Sequence, residues 1–272
     1  MTSRREVATS PVRRFEGDDL VDIAVYQRLM TGGYMSTFSL VEEGIEAGGV
    51  ELDDVSKERW RRLICASYYI DEFIDESKDR RETHALYERG MDLALSFSGG
   101  MGVEQLLEGS SGVNPLLTPS ILLLRNSVAG MSDFNLMALK RAALVVNDAA
   151  IEKAAATDIG QYLELLRQES DATAALLAHS VTPEVAVQPE FDAFVEAIHF
   201  VMRVAVYADS LIDLRGDYEQ GVTGVSPTRR HMGAIALRAV QAARGASWPP
   251  GRLRISWRMA SSVRPYVVFD EK

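Results

Sequence analysis

The chain has 272 residues, 47% of them hydrophobic and 25% charged, with a formal net charge of -10. Such a composition belongs to a globular protein able to bury a large core, and it excludes a disulfide-stapled class because Cys65 is the single cysteine. The acid excess argues against a nucleic-acid backbone as partner, and no apolar run reaches the ~20 residues of a membrane span; the best candidate, Leu116 to Met131, is interrupted by Pro119 and Arg125.

The N-terminus carries Arg4, Arg5, Arg13 and Arg14 without an apolar core after them, so no secretory signal is expected and a cytoplasmic location is. Residues 1–17 are expected to form a disordered tail and 18–272 one all-α domain. Apolar residues at helical spacing predict helices from Asp19 to Ala47, Ser56 to Glu76, Thr83 to Phe97 and Ser132 to Ala155. Further helices are predicted from Asp158 to Ser180, Pro189 to about Tyr218 and Pro227 to Ala243. Breaks fall where Gly and Pro gather, as at Gly48-Gly49, Gly109 to Pro115 and Gly221 to Pro227. Cys65 lies inside an apolar run and is expected to be a buried, inert thiol.

Two of these segments end in acids. The segment up to Ile70 runs into Asp71-Glu72-Phe73-Ile74-Asp75-Glu76. On a helix Asp71 and Asp75 share a face, with Glu72 and Glu76 as a second pair beside them. Carboxylates one turn apart repel, and at the end of an apolar helix they suit a hard divalent cation such as Mg2+; a solvated helix end paired with Lys78, Arg80 and Arg81 is the alternative. The second cluster follows Phe194 to Tyr207, where Asp209, Asp213 and Asp217 are spaced four and four and form one column of carboxylates. Two such clusters facing each other across a bundle would need a polyanion between their cations, and a diphosphate would serve.

The first motif, with Arg80-Arg81 four residues after Asp75, resembles the first aspartate-rich motif of the trans-prenyl diphosphate synthases, with Glu72 in place of the second Asp. The second resembles that family's second aspartate-rich motif, with Ser210 where a further Asp is expected, and is equally similar to the second metal motif of class I terpene synthases. The motifs stand 138 residues apart, a separation similar to that in both families. The resemblance implies a single-domain helical bundle of the isoprenoid synthase type around a central apolar cavity. It also implies Mg2+ ions, three in number, held by Asp71, Glu72, Asp75, Glu76, Asp209, Asp213 and Asp217 against an allylic prenyl diphosphate. Arg80 and Arg81 match arginines that contact diphosphate in the prenyl synthases, and Arg167 resembles the diphosphate-sensing arginine of terpene synthases, an ion pair with Glu164 being the plainer reading. Arg203, in an apolar stretch, is a further diphosphate candidate and needs an anionic partner if buried. A homodimer is the habit of the family.

Tyr68, Phe73, Phe200 and Tyr207 are candidates for a prenyl pocket, since ring faces attract a carbocation; core packing is the alternative for each. The four histidines lie in different segments, which argues against zinc. Chain-elongating prenyl synthases carry lysines at two places where this chain has Thr31-Gly32-Gly33-Tyr34-Met35 and Glu169-Ser170. The site for isopentenyl diphosphate therefore looks degraded, which favours a terpene synthase that ionises a single allylic diphosphate. A prenyltransferase using isopentenyl diphosphate or an unusual acceptor, and a non-catalytic helical regulatory subunit, are the alternatives.

Overall fold

The structure, a computed structural model, describes residues 50–76, 85, 88, 92 and 117–245. Seven helices fall in these residues: α1 (Asp54–Glu76), α2 (Leu117–Ser127), α3 (Asp133–Ala155), α4 (Ile159–His179), α5 (Pro183–Ala186), α6 (Phe191–Glu219) and α7 (Arg229–Gly245). No strand occurs among the described residues, so they are all-α as the periodicity predicts. The tail 1–17, the helix expected from Asp19 to Ala47, and Arg80 and Arg81 lie outside the described residues. Of the segment from Thr83 to Phe97 only Ala85, Glu88 and Asp92 are described, and all three are helical.

Side-chain caps explain why the helices start where they do. Ser132 accepts from the Asn135 N–H at 3.3 Å and Asp158 from Gln161 at 3.0 Å, opening α3 and α4, because the first N–H groups of a helix have no intrahelical acceptor. The expected helix boundaries thus differ from the observed ones mainly by these capping residues. Periodicity gives no helix between Phe97 and Ser132, yet α2 is helical with Pro119 in its first turn. A proline is tolerated there because its missing N–H would have had no partner. The break from Thr182 to Pro189 likewise holds one turn, α5, capped by Thr182.

α4 is the spine, contributing to three apolar clusters. Its C-terminal half meets α1 and α6 through Ala174, Leu177, Trp60, Phe194 and Ile198. Its N-terminal half meets α6 and α7 through Tyr162, Leu166, Tyr207, Leu214 and Ile235. Leu176 joins a third cluster with Leu63, Cys65, Tyr69, Leu123, Leu139 and Ala143 from α1, α2 and α3. Trp60 is fully buried, stacks on Phe194 at 5.9 Å, and donates its indole N–H to the Leu177 carbonyl at 3.0 Å. A tryptophan packed and satisfied in this way contributes roughly 3–5 kcal/mol relative to alanine.

The same end of the bundle is tied by polar contacts. Arg59, buried in α1, donates to the carbonyls of Ser180 (3.3 Å) and Ala129 (3.0 Å), and Asp53 accepts from Thr182 Oγ1 at 2.6 Å. α4 therefore finishes where α1, α3 and α6 begin. Glycine is required at Gly224, where an added Cβ would sit 2.8 Å from the Ala156 carbonyl oxygen and separate the α3–α4 connection from the chain leaving α6.

Candidate functional site

α1 and α6 meet near their starts at the Trp60–Phe194 contact, and each carries its acidic motif in its later turns. Asp71 lies 11 residues beyond Trp60 and Asp209 lies 15 beyond Phe194, rises of roughly 16 and 22 Å at the pitch of an α-helix. α1 remains helical through Glu76, so its backbone places positions 71 and 75 on one face and 72 and 76 on the next. The side chains of Tyr68, Asp71, Glu72, Phe73, Asp75 and Glu76 lie outside the described residues, as do Arg80 and Arg81.

α6 runs unbroken from Phe191 to Glu219, which makes Asp209, Asp213 and Asp217 a continuous column. The residues interleaved with it, Tyr207, Ser210 and Leu214, are buried, while Asp209 and Asp213 are exposed and Asp217 half-buried. Asp213 keeps an edge open to solvent, but the protein around its carboxyl pushes its pKa upward. Among the described residues no hydrogen bond or cation offsets that push. A hard divalent cation with oxygen ligands would, so the donor type fits Mg2+. Among the described residues no group of three or more His, Cys, Asp or Glu is close enough to hold a metal, so the column offers ligands without closing a site by itself.

The inner end of the column adjoins a polar cluster. The Tyr162 hydroxyl is held above its ordinary pKa by burial, against the lowering influence of Lys153 and a hydrogen bond with Ser210, with the negative charge of Asp217 raising it further. Lys153 in turn binds Glu169 at 2.5 Å. Through this contact α3 and α4 are joined by a half-buried ion pair.

Arg167 and Arg203, predicted from separate segments, converge on one carboxylate. Arg203 Nε donates to Asp171 Oδ1 at 2.7 Å and Arg167 donates to Oδ2 at 3.0 Å. Arg167 also forks onto Glu164 at 2.9 and 2.5 Å, the pairing that its surface position suggests. Burial pushes the Asp171 carboxyl up, but hydrogen bonds with His199 and Arg203 outweigh burial and leave its pKa at about 2. Glu164 is also lowered to about 2, chiefly by its hydrogen bonds with Arg167 and Gln168. Arg203 is half-exposed and has the anionic partner its setting called for.

Beside this network an open groove of about 630 Å³ runs between α3 and α4, lined by Phe134, Met137, Arg141, Val145, Arg167, Asp171 and His179 among others. Its lining includes no acid of the α6 column. Phe200 and Tyr207 do not line it either; both are buried in the core clusters. Sequence reading missed Asp171, whose spacing from Arg203 gives no local signal. It also passed over the Glu196-x-x-His199 pair on α6, a spacing used by carboxylate–histidine metal ligands; here the His199 ring lies 3.4 Å from Asp171.

Comparison with protein-family models, with curated proteins and with solved structures gives no match for this chain.

Proposed function

We propose that the protein is a Mg2+-dependent enzyme that ionises an allylic prenyl diphosphate and directs the resulting carbocation, a terpene synthase in its reaction type. The observation that carries this reading is the carboxylate column that Asp209, Asp213 and Asp217 form on the unbroken α6, with Asp209 and Asp213 exposed. The Trp60–Phe194 contact adds support, since it brings together the starts of the two helices that bear Asp71, Asp75, Asp209 and Asp213.

Mg2+, when bound, would supply the positive charge that stabilises a departing diphosphate. Asp209, Asp213 and Asp217 would hold it on one side, and Asp71 and Asp75, with Glu72 and Glu76 beside them, on the other. Arg80 and Arg81 would donate to phosphate oxygens, for which the guanidinium fork is suited. Apolar walls from α1 and α6 would keep water from the cation until it cyclises or loses a proton. A prenyltransferase joining the same cation to isopentenyl diphosphate or another acceptor would use the same groups.

One observation favours a non-catalytic reading. Arg167 and Arg203 are already neutralised by Glu164 and Asp171, so neither is free to receive a diphosphate without giving up a protein carboxylate. Incubating the pure chain and Mg2+ with geranyl, farnesyl and geranylgeranyl diphosphates, with and without isopentenyl diphosphate, separates the readings. Hydrocarbons or alcohols from one substrate support the synthase, and a longer diphosphate supports the transferase. Absence of both turnover and Mg2+-dependent diphosphate binding would sink the catalytic reading.

A further inference from the structure

The groove between α3 and α4 takes no part in the chemistry proposed above, and these two helices supply its whole lining. Its floor is built from small side chains: Ala142 and Ala172 are buried, and Ala138 and Ala175 beside them are half-buried. Phe134, Met137 and Val145 stand at the rim, at the three- and four-residue spacing of one helix face. Short side chains below and long ones above leave the open space of about 630 Å³, inside the range of roughly 300–1,000 Å³ typical of small-molecule sites. Phe134 is 75% and Met137 64% exposed, so the rim holds apolar surface in water that an occupant would cover.

Four titratable side chains line this trough: Arg141, Arg167, Asp171 and His179. Asp171 is taken on both oxygens, Oδ1 by Arg203 and Oδ2 by Arg167, and Arg167 also binds Glu164. In that network two guanidinium groups meet two carboxylates, and the charge is balanced. Arg141 is different. It is exposed in the middle of the apolar wall, and among the described residues it has neither a hydrogen bond nor an ion pair. The adjacent Lys140 does find an acid, Asp92, so the face next to the groove is supplied with a countercharge and the groove is not. His179 likewise has no hydrogen-bond partner among the described residues. Burial lowers its pKa, which leaves the ring uncharged near neutral pH. The unmet charge of the groove is therefore a single positive one.

One positive charge in an apolar trough suits a ligand with one negative charge and an apolar chain. A carboxylate can take two parallel hydrogen bonds from a guanidinium. A chain leaving Arg141 along the alanine floor would pass Met137 after about 6 Å and reach Phe134 after about 10 Å. A diphosphate fits less well, because its additional charges would find no cation and would lie near the carboxylates of Asp171 and Glu164.

We infer that the α3–α4 groove is a binding site for a medium-chain monocarboxylate, with the carboxylate on Arg141 and the alkyl chain on the alanine floor between Met137 and Phe134. This inference does not depend on the catalytic reading, since the groove contains no acid of the α6 column.

The test is isothermal titration calorimetry of the full chain with decanoate below its micelle concentration. Decylammonium serves as the same tail with opposite charge, and an amphipathic helical peptide bearing one glutamate serves as a protein-like rival. Decanoate is expected to bind saturably, and decylammonium roughly 10-fold more weakly or not at all. Arg141→Gln should weaken decanoate binding by about 10-fold or more, and Met137→Ser by about 10-fold. Both positions are exposed, so circular dichroism should not change. Failure of the unaltered chain to bind decanoate overturns the inference, as does equal affinity for decylammonium. Undiminished decanoate binding by both variants also overturns it, and peptide binding without decanoate binding overturns it in favour of a protein partner.

Discussion

Asp171 and Asp213 are the same residue type on adjacent helices, and their surroundings push them in opposite directions. Asp171 is gripped by Arg167, His199 and Arg203 from two helices, and its pKa falls to about 2. Asp213, on the helix that supplies Arg203, is exposed at one edge, and the protein around its carboxyl raises its pKa. A carboxylate whose charge is already met stabilises the fold, whereas one whose charge is unmet is available for a ligand. The α4–α6 network thus reads as structure, and Asp213 is the carboxylate of the pair on which the proposed function draws.

Four experiments would sharpen or break that contrast. The largest effect is expected from Asp213→Asn, and equally from Asp209→Asn, which should lower turnover of an allylic diphosphate by roughly 1,000-fold, about 4 kcal/mol of transition-state stabilisation. Circular dichroism should remain unchanged, and wild-type turnover in either variant would remove that residue from the ligand set. Next, Asp171→Ala should cost about 2 kcal/mol in a urea titration, because it leaves two guanidinium groups with one fewer acceptor.

The pH dependence of stability should follow the same division. With its folded pKa at about 2, Asp171 makes its full contribution above its unfolded pKa of 3.8 and loses it as pH falls toward 2. Asp171→Asn should flatten this acid limb of the urea midpoint. Asp213 acts in reverse: its raised pKa favours the protonated form, so Asp213→Asn should be neutral or mildly stabilising above pH ~4. It should also abolish any Mg2+-induced rise in Tm, and a Mg2+ response equal to that of the unaltered chain would contradict the assignment of unmet charge. The smallest effect belongs to Glu164→Gln, expected below about 0.5 kcal/mol. Despite the short contacts to Arg167, the pair is half-exposed and screened by solvent.

Much of the fold was legible before any coordinates. Helical spacing located α1, α3, α4, α6 and α7, because an amphipathic helix writes its buried face into every third and fourth residue. α2 escaped because Pro119 reads as a breaker unless its place in the first turn is known. The acid column was equally legible, since spacings of four on one helix become neighbours without help from tertiary structure.

By itself, then, the sequence determined the helical class, most helix boundaries and the alignment of Asp209, Asp213 and Asp217, all properties that depend only on residues near one another in the chain. Tertiary structure decided which charges are met. Asp171 and Arg203 are 32 residues apart, and whether they touch depends on how α4 packs against α6. The same packing set Phe200 and Tyr207 in the core and left Phe134 and Met137 facing outward, because burial is decided by neighbouring helices that no local spacing records.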